Sequence, residues 1–103
     1  MRIVLATALT LALAPAHSTT LEVKVEGLNC ALCSAHLKET LMQAANASAI
    51  EPRLECGSIF LETNETPART EAAVSWPLTS NGFNLKSVEP AGKTMEQAKA
   101  MKC

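Results

Sequence analysis

The sequence predicts an α+β domain in which an antiparallel four-stranded sheet carries two helices on one face. Three observations predict it: apolar and charged residues alternate over 21–26, a helical apolar pattern spans 31–45, and Thr66-Pro67 begins a second helix. A period of two residues is typical of a half-buried strand, and a period near 3.6 residues is typical of an amphipathic helix. The remaining strand-like segments complete the order β-α-β-β-α-β, the ferredoxin-like arrangement.

The first strand and the first helix flank a short loop. Residues 21–26 alternate until Gly27-Leu28-Asn29 breaks the pattern. Leu37, Leu41 and Ala44 then share one face of the predicted helix. Asn46 predicts the end of that helix, because asparagine tolerates a left-handed backbone.

A second and a third strand follow. Residues 47–55 predict an edge strand, since Pro52 cannot donate a hydrogen bond to a neighbouring strand. Cys56-Gly57 predicts a hairpin turn into a third strand at 58–62.

The second helix and the last strand complete the domain. Thr66 is the predicted cap, Pro67 occupies the first turn, and the helix is expected to run to about Ser80. Pro77 is expected to kink this helix or to end it early. Residues 85–88 predict the last strand, and the capping-box spacing at 94–97 predicts a short terminal helix.

The first 16 residues have the pattern of a secretory signal peptide. Arg2 is a short basic region, residues 3–13 are almost entirely apolar, and Ala14-Pro15-Ala16 has the small residues that signal peptidase recognises. The apolar run is too short for a bilayer, which needs roughly 20 residues. We therefore expect export to a bacterial periplasm, with no membrane insertion of the mature chain.

Size and charge exclude several classes of function. Cleavage after Ala16 leaves one small domain at 17–90 and a tail at 91–103, with too small a core for an elaborate enzyme cleft. The formal net charge is −1, and no basic stripe indicates nucleic acid or a membrane surface. We therefore expect a protein without catalytic activity.

Cys30 and Cys33 are the residues most suited to chemistry. Positions three apart share a helix face, so both sulfurs can converge on one point. The N–H groups at a helix start favour the thiolate form. Two convergent thiolates suit a soft metal such as Cu(I), Zn(II) or Hg(II), but they also suit a reversible or a structural disulfide.

The context of this pair resembles the heavy-metal-associated domain family, which includes periplasmic mercury-binding proteins and copper chaperones. The family signature is a strand, GMxCxxC and a helix, and residues 27–33 read GLNCALC, with Leu28 in place of methionine. Leu37 stands at the expected apolar position, and Gly82-Phe83 matches a Gly-Phe before the last strand. The resemblance covers residues 21 to about 89.

The resemblance implies a function. Cys30 and Cys33 would bind a soft metal through both sulfurs and pass it to a partner by ligand exchange, while Phe83 would shield the site. Cu(I) is the first choice of metal, with Hg(II) or Zn(II) as alternatives. The partner would be a metal-transporting membrane protein or another metal-binding domain. The rival interpretations are a periplasmic thiol-disulfide oxidoreductase or redox-regulated dithiol protein, and a disulfide-stapled interaction module.

The other sulfur atoms leave more than one interpretation open. Cys56 is expected at the same end of the sheet as the CxxC loop, because the first two strands run parallel. It could be a third ligand, an exposed thiol or a disulfide partner. In an oxidising compartment we expect a Cys56–Cys103 disulfide that leaves Cys30 and Cys33 free, although four cysteines allow three pairings.

Two further candidates are less favoured as ligands. His36 is expected at the surface, below the loop rather than in it. Met95, Met101 and Cys103 could form a second soft-metal cluster in the tail, but spaced methionines more often pack against a core.

The signal peptide leads to the first testable prediction. The exported protein should begin at or near His17, because signal peptidase cleaves after small residues such as those at 14–16. Intact-mass analysis of the exported chain measures this directly. Full-length chain in the exported fraction, or a membrane-inserted form, would contradict it.

Overall fold

A computed structural model describes residues 19–27 and 35–103. The predicted signal peptide and the CxxC pair lie outside these residues. The described elements follow in this order: β1 (Thr19–Glu26), α1 (Ala35–Ala44), β2 (Ala47–Arg53), a 3-10 turn (Leu54–Cys56), β3 (Ser58–Thr63), α2 (Pro67–Thr79), β4 (Asn84–Pro90) and α3 (Met95–Ala100). The predicted β-α-β-β-α-β order and the short terminal helix are confirmed.

The sheet has the strand order β2-β3-β1-β4, and every neighbouring pair is antiparallel. Val23 on the central strand β1 pairs with Ile59 on one side and with Val88 on the other. Pro52 lies on the edge strand β2, opposite Ile59, as its missing N–H predicts.

Several predicted boundaries need correction. β2 ends at Arg53 rather than at residue 55, because the chain turns there and Gly57 adopts a left-handed φ of 74°. β1 begins at Thr19, and β4 extends over Asn84–Pro90, so both strands are longer than predicted. α2 ends at Thr79, which confirms the predicted end at about Ser80, and Pro77 does not end it early because the proline lies in the last turn.

The main core lies between the inner face of the sheet and the two longer helices. Its members are apolar residues with exposures of 9% or less: Leu21, Val23, Val25, Leu37, Leu41, Ala45, Ile59, Leu61, Val74, Leu78, Phe83 and Val88. Burial of each large side chain stabilises the fold by roughly 1.5–3 kcal/mol. Ala44, predicted to be on the buried face of α1, is only half-buried, and Ala45 takes that place at the end of the helix.

The end of α1 is fixed by a buried threonine. Asn46 has a left-handed φ of 53°, as its helix-ending role predicts. The Thr63 hydroxyl donates to the Ala45 carbonyl at 2.8 Å and accepts from the Glu65 N–H at 3.1 Å. These bonds satisfy a helix-end carbonyl that would otherwise be buried without a partner.

α3 covers part of the outer face of the sheet. Phe60 alternates with the core residues Ile59 and Leu61 along β3, so its side chain lies on the face opposite α1 and α2. Phe60 and Ala98 of α3 are both 0% exposed, and the Lys93 ammonium lies 5.7 Å from the centre of the Phe60 ring. The predicted capping box is present, because Thr94 and Gln97 exchange hydrogen bonds at 3.1 and 2.9 Å.

A disulfide joins the tail to the sheet. Cys56, at the end of the 3-10 turn, is bonded to Cys103, and their α-carbons lie 5.3 Å apart. The predicted pairing of these two cysteines is therefore confirmed. Among the helices that the structure describes, none is long and apolar enough to cross a membrane.

Loss of this disulfide should destabilise the fold without changing it. The bond joins residues 47 apart, so replacing both cysteines in Cys56→Ser/Cys103→Ser should lower the free energy of unfolding by about 4 kcal/mol, chiefly by releasing the unfolded chain. Urea unfolding measures the loss. Lys102→Ser, a neighbouring exposed position, is the matched control and should leave stability unchanged. Equal stability of the double variant and the control would contradict the prediction.

Candidate metal centre

The structure describes the residues that surround the CxxC loop rather than the loop itself. Cys30 and Cys33 lie outside the described residues, so their role as ligands stays a prediction. β1 leads into the loop and ends at Glu26, Gly27 follows it, and α1 is described from Ala35 onwards. The described part of the candidate metal centre is therefore Gly27 and the residues in contact with it.

Gly27 is held in a position that only glycine can occupy without strain. Its φ is +122°, a conformation that residues with a side chain rarely adopt. A β-carbon at Gly27 would lie 3.0 Å from the Gly82 carbonyl oxygen and 3.7 Å from Cδ1 of Phe83. The sequence indicated only that Gly27 ends the strand. The close approach to residues far along the chain is visible only in the fold.

Phe83 lies beside the start of the loop, as predicted. Its side chain is 1% exposed, and its backbone N–H donates to the Leu78 carbonyl at 3.0 Å. That hydrogen bond ties the residue to the end of α2 just before β4 begins. Phe83 therefore belongs to the main core and also packs next to Gly27.

Cys56 lies at the same end of the sheet, which confirms the argument from strand direction. The Val25 N–H donates to the Gly57 carbonyl at 3.0 Å, and Lys24 pairs with Ser58. The turn that contains Cys56 is thus next to the end of β1. Its sulfur is bonded to Cys103, so in this form it offers no thiolate as a third ligand.

The remaining candidates lie on α1 and in the C-terminal segment. His36 is exposed on α1, as expected, and its carbonyl accepts from the Thr40 hydroxyl at 2.9 Å. Met95 and Met101 are half-buried, and the Met101 sulfur lies 3.9 Å from the Lys93 ammonium. Over residues 19–27 and 35–103, no three His, Cys, Asp or Glu side chains are grouped so that they could hold a metal.

Two exposed ion pairs join β1 to β4. Lys86 pairs with Glu26 at 3.1 Å, and Lys24 pairs with Glu89 at 3.1 Å. The hydrogen bond to Glu89, the charge of Glu89 and that of Glu22 raise the pKa of Lys24 above its ordinary value. These pairs are exposed, so each contributes little to stability.

Arg53 has a structural role that the sequence did not reveal. Its guanidinium donates to the Lys99 carbonyl at 2.9 Å and to the Met101 carbonyl at 2.8 Å, and it pairs with Glu55 at 2.9 Å. It therefore holds the end of α3 and the residue that follows it, Met101, against β2. No local pattern around residue 53 indicates a partner almost fifty residues away.

A solved structure shares the ferredoxin-like fold of this chain. Neither a protein-family model nor a curated protein matches this sequence. The N-terminal domain of ZntA, solved in solution in its apo-form, superimposes with a TM-score of 0.53 over 74% of this chain and 99% of that domain. The two sequences are 22% identical, so the likeness concerns the fold.

The approach of Gly27 to Gly82 predicts an asymmetry between two glycines. Gly27→Ala should lower the free energy of unfolding by about 3 kcal/mol, because backbone strain adds to the contact at 3.0 Å. Gly92→Ala is the matched control: Gly92 also has a positive φ, +71°, but no atom lies within 4 Å of its β-carbon position. That variant should lose only about 1 kcal/mol. Urea unfolding compares them, and equal losses would show that the close approach carries no energy.

Proposed function

We propose that this chain is an exported soft-metal-binding protein. Cys30 and Cys33 capture a copper ion and pass it to a partner by thiolate exchange. The observation that carries the proposal is the position of Gly27, the residue at which GLNCALC begins, against Gly82-Phe83 in a heavy-metal-associated fold. Members of the family carry both the CxxC signature and a Gly-Phe before the last strand. In this chain Gly27, which begins the signature, is in contact with Gly82-Phe83.

The proposed chemistry is capture and exchange without catalysis. Each thiolate donates an electron pair to the metal ion, which is the cargo, and each thiol loses its proton on binding. A thiolate of the partner can then form a new bond to the ion while one protein sulfur leaves. Soft thiolate ligands favour Cu(I), and Hg(II) or Zn(II) are the alternatives. Transfer of this kind needs a partner with its own sulfur ligands, such as a metal-transporting membrane protein or another metal-binding domain.

Two features support export to an oxidising compartment. The first 16 residues have the pattern of a cleavable signal peptide. The Cys56–Cys103 disulfide is of the kind that persists outside the reducing cytosol. In the same compartment Cys30 and Cys33 would need prompt metal occupancy or a reducing partner to remain thiols.

The metal site is tested in a chain that has no other cysteine. In the Cys56→Ser/Cys103→Ser background, the reduced protein should bind one Cu(I) per chain. A further Cys30→Ser or Cys33→Ser should lower the affinity at least a hundredfold, because the chelate is lost and a hydroxyl is a poor ligand for a soft metal. Competition with a chromophoric Cu(I) chelator measures the affinity.

The same background separates the proposal from its rival. Native mass spectrometry of the chain as purified should show bound copper, with neither Cys30 nor Cys33 oxidised. A mass lower by two hydrogens, no metal and rapid exchange with a model disulfide substrate would instead identify a thiol-disulfide oxidoreductase. If neither the added Cys30→Ser nor the added Cys33→Ser changes the Cu(I) affinity, the metal site lies elsewhere.

A further inference from the structure

The C-terminal segment is held against the sheet by contacts that do not involve the disulfide. Arg53 donates from one terminal nitrogen to the Lys99 carbonyl at 2.9 Å and from the other to the Met101 carbonyl at 2.8 Å. The last carbonyls of a helix have no partner within it, so these bonds satisfy groups at the end of α3. Hydrogen bonds from a charged donor are about twice as strong as neutral ones.

The same segment also contacts the outer face of the sheet and strand β1. Ala98 and Phe60 are both 0% exposed where α3 crosses the outer face of the sheet. The Lys93 ammonium lies 5.7 Å from the centre of the Phe60 ring, within the range of a cation–π interaction. Ahead of α3, the Ala91 N–H donates to the Thr20 carbonyl at 2.9 Å and fixes the entry of the segment.

The fold therefore fixes Cys56 directly and Cys103 through a residue two positions before it. The turn before β3 fixes Cys56, because the Gly57 N–H donates to the Leu54 carbonyl at 2.9 Å and Gly57 has a left-handed φ of 74°. Cys103 follows closely after Met101, whose carbonyl is held by Arg53. When the disulfide opens, the α-carbons should stay near their present separation of 5.3 Å.

Two thiols at this separation fit one soft metal ion. A thiolate sulfur lies about 2.3 Å from a metal such as zinc, so two sulfurs on one ion are at most about 4.6 Å apart. Side chains on α-carbons 5.3 Å apart can span that distance by rotation about χ1. Cys103 is exposed and lies outside regular structure, so it is open both to a reductant and to an incoming ion.

We propose that Cys56 and Cys103 form a second soft-metal site that is controlled by redox state. As a disulfide the pair binds no metal. A dithiol reductant transfers two electrons and two protons to the S–S bond, which becomes two thiols while the reductant becomes a disulfide. One Cu(I) then displaces the thiol protons and is held by both sulfurs. The chain would thus bind one metal ion when oxidised at this pair and two when reduced.

The site is tested in the full chain carrying Cys30→Ser and Cys33→Ser, so that its failure is independent of the proposed function. The oxidised protein should bind no Cu(I) in competition with a chromophoric chelator. After treatment with dithiothreitol and anaerobic desalting, the same protein should bind one Cu(I) per chain and remain monomeric in sedimentation. Adding Cys103→Ser should lower the affinity at least a hundredfold.

Arg53 supplies a second, independent test. Arg53→Gln in the same background should still form the disulfide in air, but the reduced form should bind Cu(I) at least tenfold more weakly, because the tail is no longer held close. Lys102→Ser is the matched control and should keep the affinity of the reduced parent. Circular dichroism should show an unchanged fold in each variant.

Three results would overturn the proposal. One is no Cu(I) binding by the reduced chain above the level of the Cys103→Ser variant. Another is binding that occurs only in a metal-bridged dimer. The third is equal affinity in the Arg53→Gln and Lys102→Ser variants, which would show that the fold does not pair the two thiols.

Discussion

The close approach of Gly27 to Gly82-Phe83 is the constraint that fixes the end of β1, where the CxxC segment begins. It joins the exit of the central strand β1 to the entry of the edge strand β4, with a β-carbon position only 3.0 Å from a carbonyl oxygen. Phe83 is a buried core residue next to this contact, so the main core holds Gly27 at the end of β1. The CxxC segment therefore begins from a residue whose backbone is already fixed by folding, and the entropy cost of fixing that residue has already been met.

The outer face of the sheet shows a second use of the same scaffold. An antiparallel sheet can leave one face to water, and most of this face carries charged side chains such as Lys24 and Glu89. Phe60 is the exception, and α3 covers it through Ala98 while Arg53 and the disulfide secure the end of the segment. The small helix has only six residues and would not form alone, so its stability must come from these tertiary contacts.

The sequence predicted the fold well because its local patterns agree with one another. The alternation in β1, the apolar spacing of Leu37 and Leu41, and the edge position required by Pro52 each specify one element, and together they allow one topology. Strand direction also placed Cys56 at the correct end of the sheet and supported its pairing with Cys103. Arg53 and the contact at Gly27 could not be predicted, since both depend on residues that meet only after the chain has folded. The end of β2 was predicted two residues too late. The 3-10 turn at Leu54–Cys56, which the left-handed Gly57 caps, ends the strand at Arg53.

A disulfide at this end of the sheet also affects the chemistry proposed for the CxxC pair. Four free thiols in one small chain would allow several pairs of ligands and several disulfide pairings. Bonding Cys56 to Cys103 removes two sulfurs from that competition, and the proposed metal exchange then falls to Cys30 and Cys33. Arg53, Ala98 and Lys93 also hold the tail, so the disulfide is one of several contacts that place it. Its further contribution is to restrict the unfolded chain, and under the proposed second site it also keeps two thiols out of metal exchange until a reductant releases them.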